Sequence, residues 1–204
     1  MWNEQIIMML LEGIKDTLYM TLTSTLIGYV IGLPMGILLT VTDKDGIHPN
    51  TAVYKVLDVI ANLIRSVPFL ILLIVLIPFT RFLIGRSYGP TATIVPLVIA
   101  AAPYIARMVE SSLKEVDAGV IEAARSMGAS NFTIVTKVML VEARTSLIVG
   151  ATISLGTILG YSAMAGTVGG GGLGDIAIRY GYTRWQTDIM IVTVILLAIL
   201  FQIF

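Results

Sequence analysis

The chain of 204 residues contains no cysteine, a single histidine and few charged residues. The absence of cysteine excludes a disulfide framework, a thiolate metal site and a cysteine nucleophile. Charged residues make up 13% of the chain, whereas soluble proteins contain about 25%. Basic and acidic residues number 13 each, so the net charge is zero. This balance gives no electrostatic reason to expect nucleic acid as a partner.

Apolar residues are abundant: they make up 56% of the chain, and the mean hydropathy is +0.91. A soluble domain of this length could not cover so much apolar surface with so few charged side chains. The apolar runs do not alternate with polar residues, which argues against the strands of a membrane barrel. The composition therefore predicts an all-α integral membrane protein.

Five segments are apolar enough to be membrane-spanning helices, each of which needs about 20 residues. We predict one transmembrane domain over residues 1–204, with spans at about 17–42, 59–80, 87–106, 145–165 and 187–204. The N-terminal residues lack the basic region of a signal peptide, so no cleavage is expected. The chain ends inside an apolar run, and we expect a truncated C-terminus.

Lys and Arg residues in the connections predict the orientation of the spans. Eight lie on the side of the 111–143 segment and five on the opposite side. The eight are Lys44, Lys55, Arg65, Arg107, Lys114, Arg125, Lys137 and Arg144. This bias predicts that 111–143 is cytoplasmic and that the N-terminus lies outside.

Glycines are spaced four residues apart in the first predicted span, at Gly28, Gly32 and Gly36. Such spacing forms a flat strip on which another helix can pack closely. The strip predicts packing within the chain or at a subunit interface.

The middle of the predicted spans contains no Asp, Glu or His. Such residues inside the membrane would suggest ion coupling. The glycine run at 167–174 lacks the Lys-Ser/Thr ending of a P-loop, and we interpret it as an irregular turn. No Ser/His/Asp set or metal-ligand cluster is evident, so no catalytic and no metal site is predicted.

The 111–143 segment contains signals for two short helices joined by a tight turn. Asp117 is placed to cap the first helix, and Gly128 to end it in a left-handed conformation. Ser130 is placed to cap the second, which we predict from Asn131 to about Leu140. Ala123 and Ala124 leave one side of the first helix nearly bare. From the residues alone this is an amphipathic interfacial element or a docking element.

This segment resembles the EAA loop of bacterial ABC importer permeases. The resemblance rests on Glu122-Ala123-Ala124, on Gly128 four residues later, and on Val138-Met139-Leu140. Val141 stands where the family has proline. Further segments at 65–69, 77–81, 101–110 and 160–166 are similar to those of methionine importer permeases, and the resemblance extends from about Thr17 to the C-terminus.

The resemblance implies five transmembrane helices of the type I ABC importer permease fold, working as a homodimer in the bacterial inner membrane. It implies that Glu122, Ala123, Ala124 and Gly128 form a coupling helix for two separate ATP-binding subunits. Those subunits use ATP and Mg; the permease has no catalytic site and binds no cofactor. A periplasmic or lipid-anchored binding protein is expected to deliver methionine, the L-isomer and also the D-isomer.

The end of the fourth span is the predicted substrate pathway. We expect Met164 to close the pathway at the dimer axis, and Tyr161 and Ser162 to offer hydroxyls to the solute; a gap-filling role for Met164 is the alternative. Three other functions remain alternatives. The first is a permease of the same fold for another amino acid or an osmolyte; the second is a channel or an ion-coupled carrier; the third is a membrane scaffold.

Overall fold

The computed structural model describes residues 4–204, and these lie in helices, turns and loops without a strand. The prediction about a signal peptide depends on residues outside this range. The α-helices are α1 (Glu4–Thr42), α2 (Thr51–Ser66), α3 (Phe69–Val75), α4 (Ile77–Ile84), α5 (Pro90–Lys114), α6 (Ala118–Ser126), α7 (Asn131–Thr133), α8 (Leu140–Glu142), α9 (Arg144–Ala165), α10 (Gly172–Ile176) and α11 (Thr187–Ile203). Two π-helices (Ile134–Met139 and Ala177–Tyr182) and a 3-10 helix (Gly166–Val168) complete the set.

Three helical segments are long and apolar enough to cross a membrane: Glu4–Thr42, Pro90–Lys114 and Arg144–Tyr182. A fourth is obtained if the bent pair α2 and α3 counts as one span. The last apolar helix, α11, is shorter, with 17 residues. Four of the five predicted spans therefore fall on α1, α5, α9 and α11.

The predicted span 59–80 is a broken helix rather than a continuous one. Helix α2 ends at Ser66, and Pro68 precedes α3 with extended backbone angles (φ −55°, ψ 133°). Proline has no N–H to donate and disfavours a helical conformation at the residue before it, here Val67. Pro78 lies in the first turn of α4, where its missing donor costs nothing.

The predicted single domain divides into two compact units that alternate along the chain. Unit 1 consists of Met1–Ile27, Val67–Ala100 and Leu155–Phe204. Unit 2 consists of Gly28–Ser66 and Ala101–Ser154. The pathway residues predicted at the end of α9 belong to unit 1, and the predicted coupling helix belongs to unit 2.

Unit 1 has a core of Leu10, Leu173, Ile176 and Ile189, contributed by α1, α10 and α11. A polar group in the interior of a bilayer needs a partner within the protein, and Thr17 of α1 has two. Thr17 accepts a hydrogen bond from the Leu173 backbone N–H (2.9 Å) and donates one to a carbonyl of its own helix.

The glycine run of unit 1 forms the irregular turn that the sequence predicts. Helix α9 ends at Ala165, the 3-10 helix follows, and Gly169 and Gly171 have positive φ. The Gly89 backbone N–H donates to the Gly169 carbonyl (2.9 Å), and the Thr93 hydroxyl donates to the Gly170 carbonyl (3.3 Å). These bonds fix the turn against the start of α5.

Large apolar side chains stay exposed on the long helices. Leu26 and Val30 of α1 are each 68% exposed, and Ile148 of α9 is 67% exposed. A soluble monomer rarely exposes so many large apolar residues, so these faces suit lipid tails or another subunit.

Candidate functional site

Helix α6 is the predicted coupling helix, and local chemistry sets where it begins. The Asp117 carboxylate accepts a hydrogen bond from the Gly119 backbone N–H (2.8 Å), which confirms the predicted cap. Such a bond satisfies one of the donors that the first turn of a helix leaves free. The start of α6 is thereby fixed, with three residues between it and the end of α5.

Gly128 ends the helix in the predicted left-handed conformation, with φ +82°. Its N–H donates to the Arg125 carbonyl (2.9 Å), and the Ala129 N–H donates to the Ala124 carbonyl (3.1 Å). These bonds satisfy carbonyls that the last turn would otherwise leave free. A residue with a side chain pays a steric cost in this conformation, whereas glycine does not.

The second helix of the segment is only partly α-helical. Ser130 caps it, as predicted, by accepting a hydrogen bond from the Thr133 N–H (3.2 Å). The predicted helix from Asn131 to about Leu140 is then a three-residue α-turn followed by the π-helix Ile134–Met139. The sequence contains no signal for a π-helix, which is recognised by its hydrogen bonds between residues five apart.

The faces of α6 differ in exposure. Ala124 is buried, at 5%, whereas Glu122 and Ala123 are exposed. Two large apolar side chains that follow, Met127 (82%) and Phe132 (77%), are also exposed. The segment therefore presents apolar and small side chains at a surface, as an element that contacts another protein would.

A groove of about 480 Å³ runs between α6, the end of α5 and the loop 43–50. It is lined by charged side chains of both signs, among them Asp43, Lys114, Glu122 and Arg125. The Arg125 guanidinium crosses to the loop and donates a hydrogen bond to the Ile47 carbonyl (2.9 Å). The loop and the helix are therefore in direct contact.

A chain of ion pairs lies beside this groove, and sequence reasoning missed it. Lys114 pairs with Asp43 (2.7 Å) and with Glu110 (2.8 Å). Arg107 pairs with Glu110 (2.6 Å) and with Asp58 of α2. The spacing of three and four residues between the charges of α5 could have signalled a shared face, but not the partners on other helices.

The chain of ion pairs is most enclosed at its centre. The Glu110 side chain is only 6% exposed and lies between two cations, an arrangement that offsets the cost of removing a carboxylate from water. At the Asp43 end of this chain of ion pairs, the hydrogen bond from Lys114 lowers the pKa of the Asp43 carboxyl group. A hydrogen bond from the Lys44 backbone N–H makes a smaller contribution in the same direction. Asp43 therefore stays ionised at neutral pH.

The glycine strip packs within the chain. Gly28, Gly32 and Gly36 of α1 face α5, close to its backbone. A Cβ at Gly32 would lie 2.6 Å from the Ala102 carbonyl oxygen, and one at Gly36 would lie 2.5 Å from that of Ala106. Of the two roles considered from sequence, these contacts favour packing inside one subunit.

The predicted pathway residues differ in accessibility. Met164 is 50% exposed at the end of α9. The Tyr161 ring stacks on Phe69, with ring centroids 4.5 Å apart. Ser162 is 1% exposed; its hydroxyl donates to the Leu159 carbonyl (2.7 Å) and accepts from Thr21 (3.5 Å). The expectation that Ser162 offers its hydroxyl to a solute does not fit this burial, because its proton is already committed inside the unit.

The chain matches a known protein family over most of its length. The family described as the inner membrane component of binding-protein-dependent transport systems matches residues 13–204. The chain belongs to this family. Family membership agrees with the apolar helices and makes the chain a component of a transport system in the inner membrane.

Several members of the inner membrane component family are close in sequence. A Vibrio cholerae protein named as a probable D-methionine transport system permease, MetI, is 48% identical over 195 residues, which are 96% of this chain and 87% of that protein. The Escherichia coli (strain K12) D-methionine transport system permease MetI is 50% identical over 164 residues, or 80% and 76% of the two chains.

Solved structures agree with these sequence relationships. A structure described as an inward-facing conformation of the MetNI methionine ABC transporter matches with a TM-score of 0.97 and 48% identity, over 99% of this chain and 94% of the other. An amino acid ABC transporter has a TM-score of 0.75 at 22% identity, over 98% and 88% of the two chains, which is a likeness of fold alone.

Proposed function

We propose that this chain is the membrane-spanning permease subunit of an ATP-driven methionine importer. The observation that carries the proposal is the near 50% identity, over most of the chain, to proteins named as D-methionine permeases. The match at TM-score 0.97 to the methionine transporter supports it. The substrate is methionine, the L-isomer and the D-isomer.

The transporter consists of two copies of this permease, two ATP-binding subunits and a periplasmic or lipid-anchored binding protein. The ATP-binding subunits use ATP and Mg, and the permease itself binds no cofactor. The charge bias of the connections supports an orientation with the N-terminus outside and residues 111–143 in the cytoplasm.

Coupling occurs where α6 docks into a cleft of the ATP-binding subunit. Glu122 and Ala123, both exposed, form the docking face, Ala124 packs inward, and Gly128 holds the turn. Closure of the ATP-binding subunits moves α6 and rocks the spans between inward and outward openings.

Uptake by proteoliposomes tests the substrate. Vesicles that contain the permease, the ATP-binding subunit and the binding protein should accumulate labelled L-methionine and D-methionine only when ATP is supplied. Vesicles with a hydrolysis-deficient ATP-binding subunit are the control. If neither isomer accumulates while another amino acid does, the assignment to methionine is wrong.

The exposed Met164 side chain closes the pathway in this proposal by meeting its counterpart in the second permease copy. Methionine is flexible enough to change rotamer as the pathway opens. Because the chain has no cysteine, Met164→Cys introduces the only thiol of each permease. We expect the two thiols to crosslink in the nucleotide-free transporter and to separate when nucleotide is bound.

A control and a contrary outcome define the Met164 test. Ile148→Cys introduces a thiol at another exposed position of α9, and it should not crosslink in step with nucleotide. Failure of Met164→Cys to crosslink in any nucleotide state, with uptake intact, would assign Met164 to gap filling.

A further inference from the structure

The loop 43–50 joins α1 to α2, and its His48 and Asn50 backbone N–H groups donate to carbonyls at the end of α1. Side chains from α5 and α6 attach it further. Asp43, at its start, receives the Lys114 ammonium from the end of α5 (2.7 Å). Further along, the Ile47 carbonyl accepts the hydrogen bond from Arg125 of α6 (2.9 Å). The loop therefore bridges the last turn of α5 and the coupling helix.

The first attachment continues into the chain of ion pairs. From Lys114 it passes through Glu110 to Arg107, and from Arg107 to Asp58 of α2. Arg107 also donates to Asn62 of α2 (3.0 Å). The bonds thus link α6, the loop, α5 and α2 without a break, and all of these residues belong to unit 2.

We propose that Arg125 and the loop 43–50 brace the coupling helix, so that α6 and the adjoining ends of α1, α2 and α5 move as one body. Arg125 and Asp43 are positioning residues: they act through the loop and touch no substrate. The inference rests on the proposed function, because α6 is displaced by an ATP-binding subunit only in that function.

The two attachments act in series, and this makes the brace testable. Loss of the Arg125 bond removes this side-chain attachment of the loop to α6, and loss of the Asp43 pair removes its attachment to α5. Either change interrupts the same path, so a second change should add little to the first. Independent stabilising contacts would instead give effects that add in free energy.

The first experiment measures methionine molecules imported per ATP hydrolysed by the reconstituted transporter. Arg125→Ala should lower this ratio about fivefold, the lower end of the usual range for coupling between sites. Complex assembly and ATP hydrolysis without binding protein should stay as in the unchanged transporter. Arg125→Lys keeps a donor and should restore most of the ratio.

The loop 43–50 also supplies a control variant and a double variant for this experiment. Lys44→Ala removes a cation whose side chain is 84% exposed and that lies outside the path, and it should leave the ratio unchanged. Asp43→Asn should lower the ratio, and Arg125→Ala with Asp43→Asn should be no worse than about the larger single effect. An unchanged ratio in Arg125→Ala, or single effects that multiply, would overturn the brace.

A distance measurement tests the same inference without methionine. Lys44→Cys and Ser126→Cys place spin labels on the loop and on α6, in one permease copy of a transporter whose other copy carries none. We expect the same distance with and without nucleotide, and a nucleotide-dependent change once Arg125→Ala is added. A change already present without Arg125→Ala would overturn the brace. Absence of methionine uptake by the unchanged transporter would instead count against the proposed function.

Discussion

A transporter with Gly128→Val is expected to assemble in the membrane but to import methionine at least about tenfold more slowly, because a cost of about 1.4 kcal/mol corresponds to a factor of ten. Gly128 has φ +82°, and a Cβ there would meet no atom within 4 Å. The penalty therefore comes from the backbone, since a left-handed conformation costs a β-branched residue at least about 1–2 kcal/mol. The turn relaxes, and α6 loses the orientation in which it docks. Uptake and ATP hydrolysis in proteoliposomes measure the loss.

Two sets of variants distinguish backbone strain from other causes of the expected loss of methionine uptake. Asn tolerates the left-handed region better than Ala, and Ala better than Val, so uptake should fall in the order Gly128→Asn, Gly128→Ala, Gly128→Val. Gly85 has φ +81° and equally open surroundings at the end of α4. Gly85→Val carries the same strain outside the coupling segment and should keep its import per ATP hydrolysed. Normal uptake by Gly128→Val would contradict the coupling role of this turn.

The caps and the turn of the coupling segment were readable from sequence because their chemistry is local. An Asp or Ser side chain reaches a donor two or three residues ahead of it, and a left-handed helix end favours glycine whatever surrounds it. Asp117, Gly128 and Ser130 therefore stand where the sequence predicted them. The break at Val67-Pro68 is equally local, because it follows from the chemistry of proline alone.

Contacts between residues far apart in the chain could not be predicted from the sequence. The α5 charges could be assigned to one face, but their partners Asp43 and Asp58 lie 71 and 49 residues away from Lys114 and Arg107, and only the fold brings them together. The burial of Ser162 and its hydrogen bond to Leu159 could not be predicted for the same reason. A hydroxyl in a membrane helix can face a pathway or bond within its own helix, and the choice depends on neighbours that the sequence does not specify.

Replacing Gly32 by a larger residue is expected to have the second large effect. A Cβ there would lie 2.6 Å from the Ala102 carbonyl oxygen and 2.9 Å from the Ile105 Cβ. Neither atom is the end of a flexible side chain, so α1 and α5 must separate. Overpacking of this kind costs about 1–3 kcal/mol. Gly32→Ala should therefore lower the Tm of the purified permease by several degrees, and Gly32→Leu should prevent stable folding.

Gly150 provides the matched control, since it is also helical and belongs to the same unit. A Cβ at Gly150 would lie 3.6 Å from Met108 side-chain atoms, an ordinary contact. Gly150→Ala should keep the Tm and the yield of dimer in detergent, because alanine suits a helix interior better than glycine. If Gly32→Leu expressed normally and purified as an intact dimer with an unchanged Tm, close packing of α1 on α5 would not be what stabilises this unit.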